Sequence, residues 1–155
     1  MRIVLQRVTY ANVKVEGRVT GQIEKGFLLL FGVGHDDTEE ECRRLADKIS
    51  GLRIFSDEND KINLDLDSVS GQILVVPQFT LYADCRKGNR PNFIQAAKPD
   101  KANALFEYFV EYLRAKGKRK RQPHPAPPKN KMSRGTTSAQ VLQCNVNCMQ
   151  LYVTV

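Results

Sequence analysis

Histidine, tryptophan and long apolar runs are what this sequence has least of. Tryptophan is absent, and His35 and His124 are the only imidazoles in 155 residues. A triad or a histidine-based metal centre would have to be built on one of them, and neither has a Ser or Cys partner close by in sequence. The longest apolar run, Phe27–Phe31, has the length of a buried strand. It falls far short of the ~18–20 residues of a membrane-spanning helix. The opening MRIVLQRV has no signal-peptide core, so an intracellular, cytoplasmic protein with no membrane contact is expected, its four cysteines free. Cys144 and Cys148 lie four apart with no second ligand pair, which is poor zinc spacing. Gly32-Val-Gly34 lacks the third glycine of a dinucleotide loop, and no helix begins at once behind it. No metal and no organic cofactor are therefore expected.

Acid is missing from one end. Residues 1–111 carry 15 Lys and Arg against all 17 Asp and Glu, whereas residues 112–155 carry nine bases and no acid. A near-neutral body with a cationic tail suits a polyanionic partner. Composition also changes at Lys116. The run Lys116-Gly-Lys-Arg-Lys-Arg121 leads into Gln-Pro-His-Pro-Ala-Pro-Pro128, where neither helix nor central strand is tolerated. The chain thus divides into a core at 1–115, a basic Pro-rich linker at 116–134 and a C-terminal segment at 135–155. Within that last segment, alternation of Leu151, Val153 and Val155 predicts a strand.

What is present reads as one α/β domain. Ile3, Leu5 and Arg7 alternate with Val4, Gln6 and Val8, a two-sided strand pattern. Val13 and Val15 lead to Gly17, and Val19 to Ile23 resumes beyond it, which predicts a hairpin. Phe27–Phe31 is a strand buried on both faces. Thr38 and Glu41 have capping-box spacing before Cys42, Leu45, Ala46, Ile49 and Leu52, one apolar helical face. Arg53-Ile-Phe55 runs into an Asp57–Lys61 turn, and Ile73–Thr80 reads as a second apolar strand. Asp100 is expected to cap a helix whose face is Ala102, Leu105, Phe106, Phe109, Tyr112 and Leu113.

The chemistry that remains lies between Pro77 and Phe93. A strand end feeds a loop carrying Arg86, Lys87 and Arg90 beside Gly88 and Pro91, a place to hold a phosphate-bearing substrate. Gln78 offers an amide, Thr80 a hydroxyl, and main-chain N–H groups at a strand terminus can cradle an oxyanion.

In MRIVLQRV, Gly26–Gly34, Leu52-Arg-Ile-Phe55, Leu74-Val-Val76, Gln78-Phe-Thr-Leu81, Arg86-Lys-Gly88, Arg90-Pro91 and Phe93, the chain resembles the D-aminoacyl-tRNA deacylase (D-tyrosyl-tRNA deacylase) family. The likeness runs from residue 1 to about 115, in family order. It implies a homodimer with mixed β-sheets and two main helices on one side, followed here by a divergent C-terminal tail. It also implies an esterase that acts on the aminoacylated 3′ end of tRNA, removing D-amino acids or glycine in translation quality control, without metal or cofactor. By resemblance, the Phe79 N–H is an oxyanion donor and Gln78 places the aminoacyl group. Thr80 matches a threonine once taken as nucleophile, and Arg7 matches an arginine that braces the family's second motif. Activation by the substrate's own ribose hydroxyl needs no protein nucleophile, and is favoured because no base lies near Thr80 in sequence.

Two departures stand out. Pro77 replaces the usual Ser of the family's Ser-Gln-Phe-Thr motif. The C-terminal Asn-x-Gly-Pro-x-Thr motif, whose Gly-Pro unit excludes L-amino acids, has no counterpart in residues 118–155. The alternative expectation is a catalytically impaired relative that binds nucleic acid through its basic tail.

Overall fold

A computed structural model describes residues 1–117, 122–123 and 141–154, with side chains for 1–117 and 151–153. His124, most of the Pro-rich segment and the side chains of Cys144 and Cys148 lie outside the described residues.

The sheet is organised by one long strand, β1 (Arg2–Val15). β2 (Arg18–Ile23) and β3 (Gly26–Gly32) form the returning arm of the same hairpin. Ala11 faces Ile23 and Val8 faces Gly26, so the register continues across the break at Glu24–Lys25. The predicted hairpin is therefore present and longer than expected. The turn puts Glu16 and Gly17 in the left-handed region at φ 51° and 79°. β6 (Gln72–Pro77) lies parallel to β3, and Gln72 stitches the break by donating its N–H to the Lys25 carbonyl at 3.0 Å. The parallel step needs a crossover. The chain supplies α1 (Glu39–Ser50) and a small hairpin of β4 (Phe55–Ser56) and β5 (Ile62–Leu64).

α1 starts where Thr38 and Glu41 said it would. Both halves of the capping box are formed, and the Thr38 bonds hold the Glu41 carboxyl down at about 2. α2 (Pro99–Lys116) begins earlier than expected: Lys98 is the cap and Pro99 fills the first helical position. Proline has no N–H to lose there and its φ is preset, so Asp100 falls inside the first turn.

Both helices cover one face of the sheet. Ile3, Leu5, Phe27, Leu29, Phe31, Ile73 and Val75 meet Cys42, Leu45 and Ile49 of α1 and Leu105, Phe106 and Phe109 of α2. The Phe31 and Phe109 rings approach to 4.6 Å between centroids. Burial in this core pushes the Cys42 thiol up to about 12, which makes it an inert packing group. On the other face, Val8, Ala11, Val13, Ile23, Leu28, Leu74 and Val76 form a second cluster as the sheet curls. Phe27–Phe31 is accordingly enclosed from both sides, with only Leu30 half-buried.

The C-terminal segment contains a strand, β8 (Val141–Thr154), antiparallel to β1 from Arg2 to Lys14, with register irregularities on either side of Val8, on the edge away from β3. A two-residue β7 (Gln122–Pro123) adds to β6 in parallel at Leu74 and Val75. Among the described residues, no helix is long and apolar enough to cross a membrane.

Candidate functional site

The expected strand Ile73–Thr80 ends early, at Pro77. Proline cannot donate to a ladder and closes the strand, which corrects the reading of Gln78, Phe79 and Thr80 as extended. Pairing continues for one residue, the Gln78 N–H donating to the Phe31 carbonyl at 2.8 Å. The chain then bends into a 3-10 turn, Phe79–Tyr82, over the end of β3. The bend needs room. A Cβ on Gly32 would lie 3.1 Å from the Gln78 carbonyl oxygen and from the Leu81 Cβ.

Within the turn, the Leu81 and Ala83 N–H groups donate back to the Gln78 and Thr80 carbonyls at 3.3 and 3.0 Å. The Phe79 and Thr80 N–H groups precede the first of these bonds and have no acceptor among the described residues, as at any helix start. Thr80 is exposed, and Phe79 is 47% exposed. Two adjacent main-chain donors without an acceptor among the described residues therefore lie on exposed residues at one corner of the molecule. The Gln78 side-chain amide donates to the Thr80 hydroxyl oxygen. That oxygen is thus an acceptor, and no imidazole or carboxylate is bonded to it among the described residues. The ring of His35 is paired with Asp36 at 2.7 Å on the loop after β3.

The wall of the corner is the segment 84–97. Asp84 and Asn92 exchange backbone bonds of 2.9 and 3.0 Å, closing a loop with Gly88 at φ 83°. The Phe93 ring meets Phe79 edge-on at 5.1 Å, beside the exposed Ile94. Arg86, Lys87 and Arg90 are exposed on this loop. Arg86 is engaged by Asp84 through two side-chain bonds of 2.9 and 2.7 Å, which hold the Asp84 carboxyl down at about 2. Lys87 and Arg90 have no acidic partner among the described residues.

Arg7 sits elsewhere. It is half-buried in β1 and donates to the Ile54 carbonyl at 2.9 Å, tying β1 to the chain beyond α1. The structure thus brings together Pro77, Gln78, Phe79 and Thr80, with the 86–90 loop beside them, and places Arg7 away from them against the Ile54 carbonyl.

Sequence reading missed Arg2, Asp37 and Tyr82. Arg2 donates to the Leu81 carbonyl at 2.9 Å and lies 4.4 Å over the Tyr82 ring. It lines an open groove with Tyr82, Asp84, Cys85, Arg86 and Gln95. Its position in MRIVLQRV was the one available signal. Asp37 and Tyr82 are 45 residues apart and meet only in the fold.

Comparison with known proteins gives a consistent picture. The sequence model of the family described as D-Tyr-tRNA(Tyr) deacylase matches residues 4–136. A D-aminoacyl-tRNA deacylase of Thermotoga petrophila is 59% identical over 117 residues, 76% of this chain and 78% of that one. The Bacillus pumilus protein of the same name is 60% identical over 117 residues, covering 76% and 80%. Among solved structures, the c-Myc DNA Unwinding Element Binding Protein superposes with a TM-score of 0.81 at 27% identity, covering 100% of this chain and 99% of that one. A probable eukaryotic D-amino acid tRNA deacylase shares the fold at a TM-score of 0.71 and 18% identity, covering 98% of each chain.

Proposed function

Because the chain belongs to the D-Tyr-tRNA(Tyr) deacylase family, we propose that it hydrolyses the ester bond of D-aminoacyl-tRNA, releasing the D-amino acid and free tRNA. The observation that carries the mechanism is the pair of main-chain N–H groups at Phe79 and Thr80 that have no acceptor among the described residues. Water adds to the ester carbonyl carbon, and negative charge builds on the carbonyl oxygen. Collapse breaks the bond to the ribose oxygen, which takes up the proton that the water gave through the neighbouring ribose hydroxyl. An aminoacyl ester is already activated, so holding it and stabilising the oxyanion supplies most of what the reaction needs.

Gln78 places the aminoacyl group, and Thr80 shapes the corner as an acceptor of the Gln78 amide. Pro77 fixes the backbone just before the donors. Arg86, Lys87 and Arg90 meet the phosphates of the 3′ end, and of these three Lys87 and Arg90 have no acidic partner among the described residues. The reaction belongs in the cytoplasm, where charged tRNA is consumed. The active form is a homodimer, a reading supported by β8, which among the described strands pairs on one edge only.

The test is a deacylation time course with D-Tyr-, Gly- and L-Tyr-tRNA. D-Tyr-tRNA is expected to be discharged with saturation. L-Tyr-tRNA is expected to be spared less well than by relatives that carry the Gly-Pro motif. Thr80→Ala should retain activity within about tenfold, whereas loss of a true nucleophile costs about 10⁴-fold or more. Gln78→Ala should lose about 10- to 100-fold through misplacement of the acyl group. If all three tRNAs stay charged, the function is wrong, and salt-dependent binding alone would favour the nucleic-acid-binding alternative.

A further inference from the structure

The turn that carries the two donors is short and half-exposed, yet it is fastened at its far end. Tyr82, its last residue, is 7% exposed, and its hydroxyl donates to Asp37 Oδ2 at 3.2 Å. The same carboxylate accepts the Gly34 N–H at 2.6 Å, and its other oxygen pairs with the amino group of Met1. Asp37 therefore joins the start of β1, the end of β3 and the turn at one point. Gly34 makes the contact close, since a Cβ there would lie 2.8 Å from the Tyr82 hydroxyl oxygen. This accounts for the Gly32-Val-Gly34 pattern that matched no nucleotide loop: each glycine clears space for the turn. Burial, and then the Asp37 charge, raise the Tyr82 pKa above its ordinary value, so the hydroxyl stays a donor throughout the working pH range.

We infer that Asp37 is a positioning residue. Through Tyr82 it sets where the Phe79–Tyr82 turn sits over β3, and hence where the Phe79 and Thr80 N–H groups point. This rests on the function proposed above, and Asp37 itself touches no reacting atom. An oxyanion donor displaced by an ångström loses much of its effect, so the expected signature falls on the chemical step and leaves substrate binding alone.

Tyr82→Phe removes one hydroxyl and keeps the ring packed beneath Arg2. In the full chain it should lower kcat for D-Tyr-tRNA by about tenfold with KM changed less than about twofold. Amide hydrogen exchange should speed up at Leu81 and Ala83 and stay unchanged in α1 and α2. Asp37→Ala should cost about a hundredfold in kcat. Asp37→Asn still offers an oxygen to Tyr82 and should recover part of that loss. If the unmodified chain discharges D-Tyr-tRNA while Tyr82→Phe leaves kcat and local exchange as they were, the inference alone falls. It falls equally if exchange rises uniformly through the chain, the mark of a general loss of stability. If the unmodified chain leaves D-Tyr-tRNA charged, the proposed function falls, and the inference with it.

Discussion

Phe79→Pro is expected to slow deacylation of D-Tyr-tRNA by about 10²–10³-fold relative to Phe79→Ala. The pair separates two roles of one residue. Both variants lose the ring that meets Phe93, but only proline also loses the main-chain N–H. The site accepts proline without a break in the fold, because Phe79 is the first residue of a 3-10 turn and its N–H closes no bond within that turn. Gln78, at φ −145° and ψ 87°, already lies outside the helical region that a following proline disfavours. The deficit should appear in kcat and be the same for D-Tyr- and Gly-tRNA, since the oxyanion is common to both. Equal rates for the proline and alanine variants would mean that this N–H does not meet the developing charge.

Gly26→Ala should cost about 4 kcal/mol of stability or more, and lower the melting temperature by about 10 °C. Gly26 sits where three strands crowd, paired with Val8 of β1 on one side and Gln72 of β6 on the other. A Cβ built there lies 1.9 Å from the Gln72 carbonyl oxygen and 2.7 Å from its nitrogen. Those are backbone atoms held in a ladder, so no rotamer change relieves the clash. Either the β3–β6 pairing opens or the strand shifts. Because Pro77 ends β6 and the Phe79–Tyr82 turn follows it, the deacylation proposed for this corner should fall together with stability. Gly17→Ala makes a useful contrast: its added carbon meets nothing within 4 Å, and it would pay only for the left-handed φ of 79°. A melting temperature for Gly26→Ala close to that of the unaltered protein would show that the strands can part here at little cost.

The parts of the fold legible in sequence are those whose signals are local. α1 is one: the Thr38–Glu41 box and the spacing of Cys42, Leu45, Ala46 and Ile49 act within a few turns of one another, and the structure repeats them. The apolar run of β3 is another, since only a strand enclosed on both faces can hide Phe27, Leu28, Leu29 and Phe31 together. The end of β6 is legible only in part: Pro77 marks where the ladder loses a donor, but Phe79 and Leu81 continue the apolar character of the strand, and the space that Gly32 leaves for the turn lies on a neighbouring strand. The start of α2 was misread because Asp100 has cap chemistry while Pro99 has the better geometry.

The site divides in the same way. Gln78, Phe79 and Thr80 are contiguous and were found as a motif, and the exposed 86–90 loop is visible as a charge cluster. The meeting of Asp37, Gly34 and Tyr82 depends on chain folding that brings residues 37 and 82 side by side. No local pattern announces it. Arg7, which by resemblance matches an arginine bracing the family's second motif, donates among the described residues to the Ile54 carbonyl.

The proposed reaction depends on main-chain dipoles at the corner receiving the charge of the ester carbonyl. The most direct measurement is a titration of isotope-labelled protein with a non-hydrolysable amide analogue of D-tyrosyl-adenosine, following backbone amide resonances. Downfield shifts and slowed exchange confined to Phe79 and Thr80, with Gln78 side-chain protons perturbed beside them, are the predicted result. Saturable binding of the analogue that moves resonances elsewhere and leaves those two N–H groups unchanged would contradict it.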